Sequence, residues 1–466
     1  MKTIATLLVT FFVSIALNAQ EIIGQWNGVL KVQGTQLRLA FNISKSDNGL
    51  ITTMDSPDQG AKDIPVTSTS FENSVLKIAI VNAKIEFEGT LGKDGIITGT
   101  FKQNGQSFPM NLSKEKIEKQ KIVRPQEPIK PYSYYDEEIT FENKKAGIVL
   151  AGTLTMPKKE GNFPVVILIS GSGPQNRDEE ILGHKPFLVL SDYLTKNGFA
   201  VLRYDDRGTA LSKGVFKTAT SADFATDVEA AITYLKTRKE INKKKIGLMG
   251  HSEGGMIAPM VASKSKDVAF IVLLAGTGID GGEILLMQQK LIGKASGVND
   301  IDLQKNENLN KNTFEIVRNS SDLKQLEIDL TEYISNYFKN NPDSGKSEGM
   351  SEDDFIKLQV KPIANPWMQY FIKYNPAPAL EKVKCPVLAI NGEKDLQVPP
   401  KENLEAIKNA LTKGGNKKTT TKELPNLNHL FQDCKTGAPS EYATIDETFS
   451  PKAMSEILNW LQLQTN

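Results

Sequence analysis

A chain of 466 residues is longer than one ordinary core holds together, so two or more domains are expected. With 56 Lys and Arg against 55 Asp and Glu the formal net charge is +1, and no basic stripe could neutralise a phosphate backbone. Nucleic acid is thereby excluded as a partner, and a content of 24% charged and 39% hydrophobic residues excludes wholesale disorder.

The chain opens with Lys2, a mostly apolar stretch from Ile4 to Leu17, and the small-residue site Leu17-Asn18-Ala19-Gln20. This is the pattern of a signal peptide over residues 1–19, because the apolar run is shorter than the roughly 18 to 20 residues a spanning helix needs. The expected location is secreted or periplasmic, with no stable membrane insertion after cleavage. Residues 20–115 then alternate with period two, at Leu37, Leu39, Phe41 and Ile43, at Leu76, Ile78 and Ile80, and at Ile85, Phe87 and Leu91. Such a period predicts half-buried antiparallel strands, with hairpin turns at Asp47-Asn48-Gly49, Lys93-Asp94-Gly95 and Asn104-Gly105. The product is a small all-β sandwich or barrel. It holds no His, no Cys and no convincing acid pair, so it is expected to pack on the catalytic domain as a spacer or to bind an unknown ligand.

Residues 116–134 are Lys-rich, carry Pro125, Pro128 and Pro131, and read as an extended linker. From 135 to 466 strand-like runs alternate with helical ones: Ile148 to Met156, Pro164 to Ser170, a helix near Phe187 to Lys196, Ala200 to Tyr204, a helix from Ser221 to Leu235, then Lys245 to Gly250. Alternation of this kind predicts a mostly parallel sheet flanked by helices, with Ser221 as the cap of its helix. After Phe270 to Ala275 the alternation stops, and it resumes at Pro386 to Asn391. The charged, helical stretch between them, about residues 279–375, reads as an inserted cap. Its end carries Trp367, Met368, Tyr370, Phe371 and Tyr374, which either form the cap's own core or wall a substrate pocket.

At the end of Lys245 to Gly250 stands Gly250-His251-Ser252-Glu253-Gly254-Gly255, followed by a helical run. In strand-turn-helix context this is G-x-S-x-G, a turn so sharp that the residues two before and two after the serine are small. Ser252 is the candidate nucleophile, strained at the tip. Pro259 departs from an ideal helix and is a place for a kink.

A serine hydroxyl needs a base, and the chain has three histidines. His251 neighbours the nucleophile and is expected to point elsewhere, and His184 lies upstream. His429, in Asn426-Leu427-Asn428-His429 after the strand Thr419 to Leu424, occupies the loop from which a base reaches the serine. The carboxylate that orients it is Asp395, in Gly392-Glu393-Lys394-Asp395, with Glu393 as the alternative. An oxyanion hole is expected from the N–H of Glu253 and that of Ser172, in the loop Ser170-Gly171-Ser172-Gly173-Pro174, with Gly173 as a further donor. No cofactor or metal is required. Cys385 and Cys434 are expected to be free thiols, although export would permit them to pair.

Together with Gln175, Arg177-Asp178, Tyr204-Asp205-Asp206-Arg207-Gly208 and Asn428-His429-Leu430-Phe431, these residues resemble the α/β-hydrolase superfamily, and within it a branch of bacterial carboxylesterases. The resemblance covers residues from about 135 onward; the β domain looks only loosely like a lipocalin-type barrel. It implies a small-molecule substrate that is a short acyl ester, hydrolysed through an acyl-enzyme; the cap's aromatic end separately makes Trp367 the candidate pocket residue. Relatives with peptidase or thioesterase labels keep a serine exopeptidase or thioesterase as the alternative, ahead of a non-catalytic binding protein. Asp206 and Arg207 are expected to form a loop ion pair.

Overall fold

The computed structural model describes residues 22–32, 35–46, 49–57, 61–103, 106–118, 124–341 and 351–465. The expected signal peptide and the turn residues 47–48 and 104–105 lie outside the described residues. Two compact units divide the chain, one of Met1–Lys121 with Phe338–Leu358, the other of Ile122–Tyr337 with Gln359–Asn466. Among the described residues no helix is long and apolar enough to cross a membrane.

In the first unit, β1 (Gly24–Val32), β2 (Thr35–Ser46), β3 (Gly49–Ser56), β4 (Ala61–Pro65), β5 (Ser68–Glu72), β6 (Val75–Ile80), β7 (Ile85–Leu91), β8 (Ile97–Gln103) and β9 (Gln106–Ser113) form one sheet. Its order is β4-β3-β2-β1-β9-β8-β7-β6-β5, and every pairing is antiparallel. The edge strands β4 and β5 are consecutive in the chain. Their junction is tied to Thr52 on β3, whose carbonyl accepts from Val66 N at 3.1 Å and whose hydroxyl accepts from Thr69 at 2.8 Å. A single sheet curled back on itself is a barrel-like solution, and a two-sheet sandwich is not formed. Period two sends Ile85 and Phe87 inward and Glu86 and Glu88 outward, around a core with Trp26, Phe41, Phe101 and Leu112.

The second unit is built on β10 (Tyr135–Asn143), β11 (Ile148–Met156), β12 (Phe163–Ile169), β13 (Ala200–Tyr204), β14 (Ile241–His251), β15 (Phe270–Leu274), β16 (Val387–Gly392) and β17 (Thr419–Leu424). They lie in the order β10-β11-β13-β12-β14-β15-β16-β17, antiparallel for the first two pairings and parallel for the rest. This is the α/β-hydrolase fold, and the chain reverses its direction of winding around β12. Its helices are α1 (Pro186–Lys196), α2 (Ser221–Leu235) and α3 (Glu253–Ala262), which runs without interruption through Pro259. Between β15 and β16 in the chain come α4 (Gly281–Ala295), α5 (Asp300–Asn319), α6 (Leu323–Asn340), α7 (Glu352–Val360), α8 (Pro366–Lys373) and α9 (Ala377–Leu380), of which the stretch Phe338–Leu358 groups with the first unit. After β16 follow α10 (Pro400–Lys413) and α11 (Pro451–Thr465).

The helix α2 has the range the sequence suggests, but its cap falls one residue earlier. Thr220 is its N-cap and forms a capping box with Asp223, which frees the Ser221 hydroxyl for another partner. Phe224, Val228, Ala231, Ile232 and Leu235 bury their shared face against the sheet.

The expected ion pair between Asp206 and Arg207 is not formed. Successive residues leave a strand end on opposite sides, so Arg207 turns to α2 and its Nε donates to Asp227 at 2.7 Å. Asp206 turns the other way and accepts from Ser170 Oγ at 2.8 Å and Gln175 N at 2.9 Å. Arg207 and Asp227 are both buried, and Asn143 Nδ2 completes the carboxylate at 2.7 Å. Removing one partner of such a pair strands a desolvated charge. Arg207→Ala is therefore expected to cost about 3–5 kcal/mol, measured by urea unfolding. The paired substitution Arg207→Met with Asp227→Leu should lose much less, because no charge is left alone.

Candidate active site

Ser252 sits between β14 and α3 with φ 52° and ψ −114°, a strained conformation for a residue with a side chain. The glycines around it are there for backbone contact. A Cβ on Gly250 would lie 1.9 Å from Gly254 O, and one on Gly254 would lie 2.1 Å from Ile169 O. The tip is fixed by Ser252 N donating to Leu274 O at 2.8 Å and Gly255 N donating to Ser252 O at 3.0 Å.

Asp395 and His429 meet although they are 34 residues apart, with His429 Nδ1 2.8 Å from Asp395 Oδ2. Asp395 Oδ1 accepts the N–H of Gln397 and of Val398, each at 2.8 Å, so the carboxylate is locked in orientation. Both side chains are buried. Glu393, the alternative acid, is exposed and accepts from Asn426 N at 2.9 Å. Asn428 shapes the turn that carries His429, its Oδ1 accepting Leu430 N and Gln432 N at 3.0 Å. With Nδ1 engaged, Nε2 is the ring nitrogen left to face the cavity that Ser252 and His429 share. Among the described residues no direct hydrogen bond joins Ser252 to His429.

The cavity measures about 210 Å³. Ser172 and Glu253 line it, and among the described residues the N–H of neither has a protein acceptor. Its apolar wall comes from Ile284 and Leu285 on α4, Trp367 and Phe371 on α8, and Val398 and Leu430. The aromatic cluster of α8 is thus divided by helical spacing. Trp367 and Phe371 stack at 5.0 Å and face the cavity, whereas Tyr370 and Tyr374 stack at 5.7 Å and line a separate hollow.

Glu253 turns its carboxylate into the protein, where Oε1 accepts from Ser221 Oγ at 2.5 Å and Trp367 Nε1 at 2.9 Å. Burial raises its pKa, and the hydrogen bonds from Ser221, Trp367 and Ser172 pull the other way. Asp206 behaves similarly: desolvation pushes it up to about 8 against its bonds from Gln175 and Ser170, with Glu253 and Glu179 adding repulsion.

The loop after β12 is laced to the end of β13. Arg177 donates from N and Nε to Asp205 Oδ1 at 2.8 and 3.1 Å, and Asp178 pairs with Arg203. This lacing delivers Glu179, whose Oε1 accepts Gly171 N at 2.7 Å and lies 3.0 Å from His251 Nδ1. His251 does not point away, as its sequence position suggests; it is buried beside His429, with ring centroids 4.7 Å apart. Sequence reasoning missed both residues, since nothing in local spacing links positions 72 apart. His184 is buried between Thr448 Oγ1 and Tyr442 O, at 3.0 and 2.9 Å, and burial lowers its pKa. Cys385 and Cys434 are free thiols, both pushed up to about 11 by burial. Among the described residues no group of three or more His, Cys, Asp and Glu is arranged to hold a metal ion.

Residues 146–422 match the family described as X-Pro dipeptidyl-peptidase (S15 family). Esterase EstD of Thermotoga maritima is 26% identical over 337 residues, which is 72% of this chain and 69% of that protein. A putative carboxymethylenebutenolidase of Synechocystis is 25% identical over 140 residues, 27% of this chain and 52% of that protein. Among solved structures, the Pyrococcus furiosus esterase Pf2001 is 16% identical with a TM-score of 0.44, covering 75% of this chain and 100% of its own. Est1E of Butyrivibrio proteoclasticus, solved with ferulic acid, is 17% identical with a TM-score of 0.41, covering 70% and 99%. The family match spans more than half of the chain, so this protein belongs to the S15 family of α/β-hydrolases and is a serine hydrolase.

Proposed function

We propose that the protein hydrolyses short-acyl carboxylic esters through Ser252, His429 and Asp395. The observation that carries this reading is the 2.8 Å contact of His429 Nδ1 with an Asp395 carboxylate already held by two backbone N–H groups. That contact fixes the tautomer in which Nε2 accepts a proton. Ser252 Oγ attacks the ester carbonyl while its proton passes to His429 Nε2. The carbonyl oxygen becomes an oxyanion and is received by the N–H groups of Ser172 and Glu253, which have no protein acceptor to give up. Collapse breaks the C–O bond, and His429 returns the proton to the departing alcohol. Water, deprotonated in turn by His429, then releases the acid from Ser252. Catalytic hydrogen bonds tighten when substrate closes the site, consistent with a Ser252–His429 contact that is not yet made.

The family's name points to release of X-Pro dipeptides, which needs an acidic group to receive the substrate's free amine. Glu253 is the acid adjacent to the nucleophile, and its carboxylate is already committed to Ser221, Trp367 and Ser172. An amine would have to displace those donors. The relationship to an esterase over 72% of the chain supports the ester reading as well. The cavity of about 210 Å³ is below the roughly 300–1,000 Å³ of sites for drug-sized ligands, which supports a short acyl group.

Ser252→Ala should abolish ester hydrolysis and labelling by a fluorophosphonate while leaving the fold intact. Retention of more than about a few per cent of activity would assign the nucleophile elsewhere. Asp395→Asn should lower kcat by about 10⁴-fold with little change in KM, and Glu393→Gln should be mild. The reverse ranking would make Glu393 the orienting acid.

Substrate size can be read from nitrophenyl esters of about two to twelve carbons, each fitted methylene adding about 0.8 kcal/mol until the pocket ends. We expect kcat/KM to peak among the short chains and the peak to move to longer ones in Trp367→Ala. A long-chain optimum unmoved by the substitution, or faster turnover of X-Pro amides than of any ester, would overturn the assignment.

A further inference from the structure

His251 is held between two hydrogen-bond acceptors. Its Nδ1 lies 3.0 Å from Glu179 Oε1, and its Nε2 lies 2.9 Å from the backbone carbonyl oxygen of His429. A carbonyl oxygen can only accept, so Nε2 carries a proton. A neutral imidazole has no second N–H, and Nδ1 would then meet the Glu179 carboxylate with a lone pair. The contact therefore needs one more proton, on His251 or on Glu179. Oε1 of Glu179 also accepts the N–H of Gly171 at 2.7 Å, a bond that favours the ionised carboxylate and puts the proton on the imidazole. Burial works against a cation here, yet the Glu179 charge and hydrogen bond outweigh it and raise the His251 pKa.

Glu179 is itself a shaped position. It is buried, and its backbone sits at φ 51°, in the left-handed region that favours glycine. The paired Arg177–Asp205 and Asp178–Arg203 contacts next to it hold that turn in place. Through one oxygen and one ring, three separate loops are joined: the loop after β12 that carries Ser172, the nucleophile turn, and the loop that carries His429.

We propose that Glu179 and His251 form a second, buried acid–histidine couple that positions His429 and holds a fixed positive charge beside it. The proposal rests on reading His429 as the general base. Asp395 grips that base from Nδ1, while His251 holds its backbone carbonyl from Nε2 and lays its ring beside it, with centroids 4.7 Å apart. The titratable groups around the pair are Glu179 from the loop after β12, Asp395 from the loop after β16, Asp206 from the end of β13 and Glu253 from α3. Tyr442 also approaches, its hydroxyl accepting from Gln397 at 3.1 Å. No Lys or Arg lines the cavity, so His251 is its one cationic side chain among the described residues.

The chain has three histidines, so NMR of ring-labelled histidine resolves each of them. In the unmodified protein near neutral pH, His251 should show both ring nitrogens protonated; in Glu179→Gln one should be bare. For that variant we expect kcat to fall about tenfold or more and KM to stay within about twofold. A singly protonated His251 in the unmodified protein overturns the proposal, as does a kcat left unchanged in a folded Glu179→Gln. Should Glu179→Gln fail to fold, the spectrum of the unmodified protein decides alone. Activity surviving in Ser252→Ala or in His429→Gln would instead sink the catalytic reading, and the protonation of His251 would be measured independently of it.

Discussion

The organisation of the catalytic unit depends on how closely four stretches of backbone approach one another around Ser252. A side chain of even one carbon at Gly250, Gly254 or Gly255 would press on Gly254 O at 1.9 Å, on Ile169 O at 2.1 Å or on Gly276 Cα at 2.6 Å. Those contacts bring the ends of β12, β14 and β15 and the first turn of α3 together at the carboxyl edge of the sheet. The conformation of Ser252 costs on the order of 1–3 kcal/mol, and it persists because its neighbours leave no other path for the chain. Its hydroxyl is consequently aimed by packing, with no side-chain partner needed to hold it.

Charge around that turn is arranged by commitment of each group to named donors. Glu253 holds α2 through Ser221 and α8 through Trp367; Asp206 straps the loop after β12 through Ser170 and Gln175; Glu179 ties the same loop to His251. Three carboxyls in one neighbourhood repel, and the raised pKa values of Asp206 and Glu253 record the desolvation and, for Asp206, that repulsion. Carboxyls engaged in this way anchor loops and are poor receptors for an incoming cation. In the reading proposed above, that favours a neutral ester over a substrate with a free amine.

Much of this architecture was legible in the sequence wherever the signal was local. Period two marked the strands of the first unit, the loss of alternation after β15 marked the inserted helices, and the glycines flanking Ser252 marked a turn. Asp395 and His429 followed from chain order and from having three histidines to choose among. What stayed hidden was pairing across distance: Arg177 with Asp205 over 28 residues, His251 with Glu179 over 72. Adjacency misled at Asp206-Arg207, where a strand end sends neighbours to opposite sides, and at Ser252, where it hid that the His251 ring lies beside His429. The shift of a cap from Ser221 to Thr220 is the kind of single-residue ambiguity that two hydroxyls in a row create.

The bond between Trp367 Nε1 and Glu253 Oε1 joins two properties that are usually discussed apart. Trp367 stands in the apolar wall of the cavity, and Glu253 supplies the first N–H of α3 beside Ser252. A residue whose side chain is pinned by the wall has its backbone restrained as well, because both belong to one turn of helix. In the reading proposed above, any acyl group large enough to displace the indole ring therefore pulls on the same turn that would receive the oxyanion. Chain-length selection in such a site acts on kcat as well as on KM, since a poorly fitting substrate disturbs a donor that matters most in the transition state.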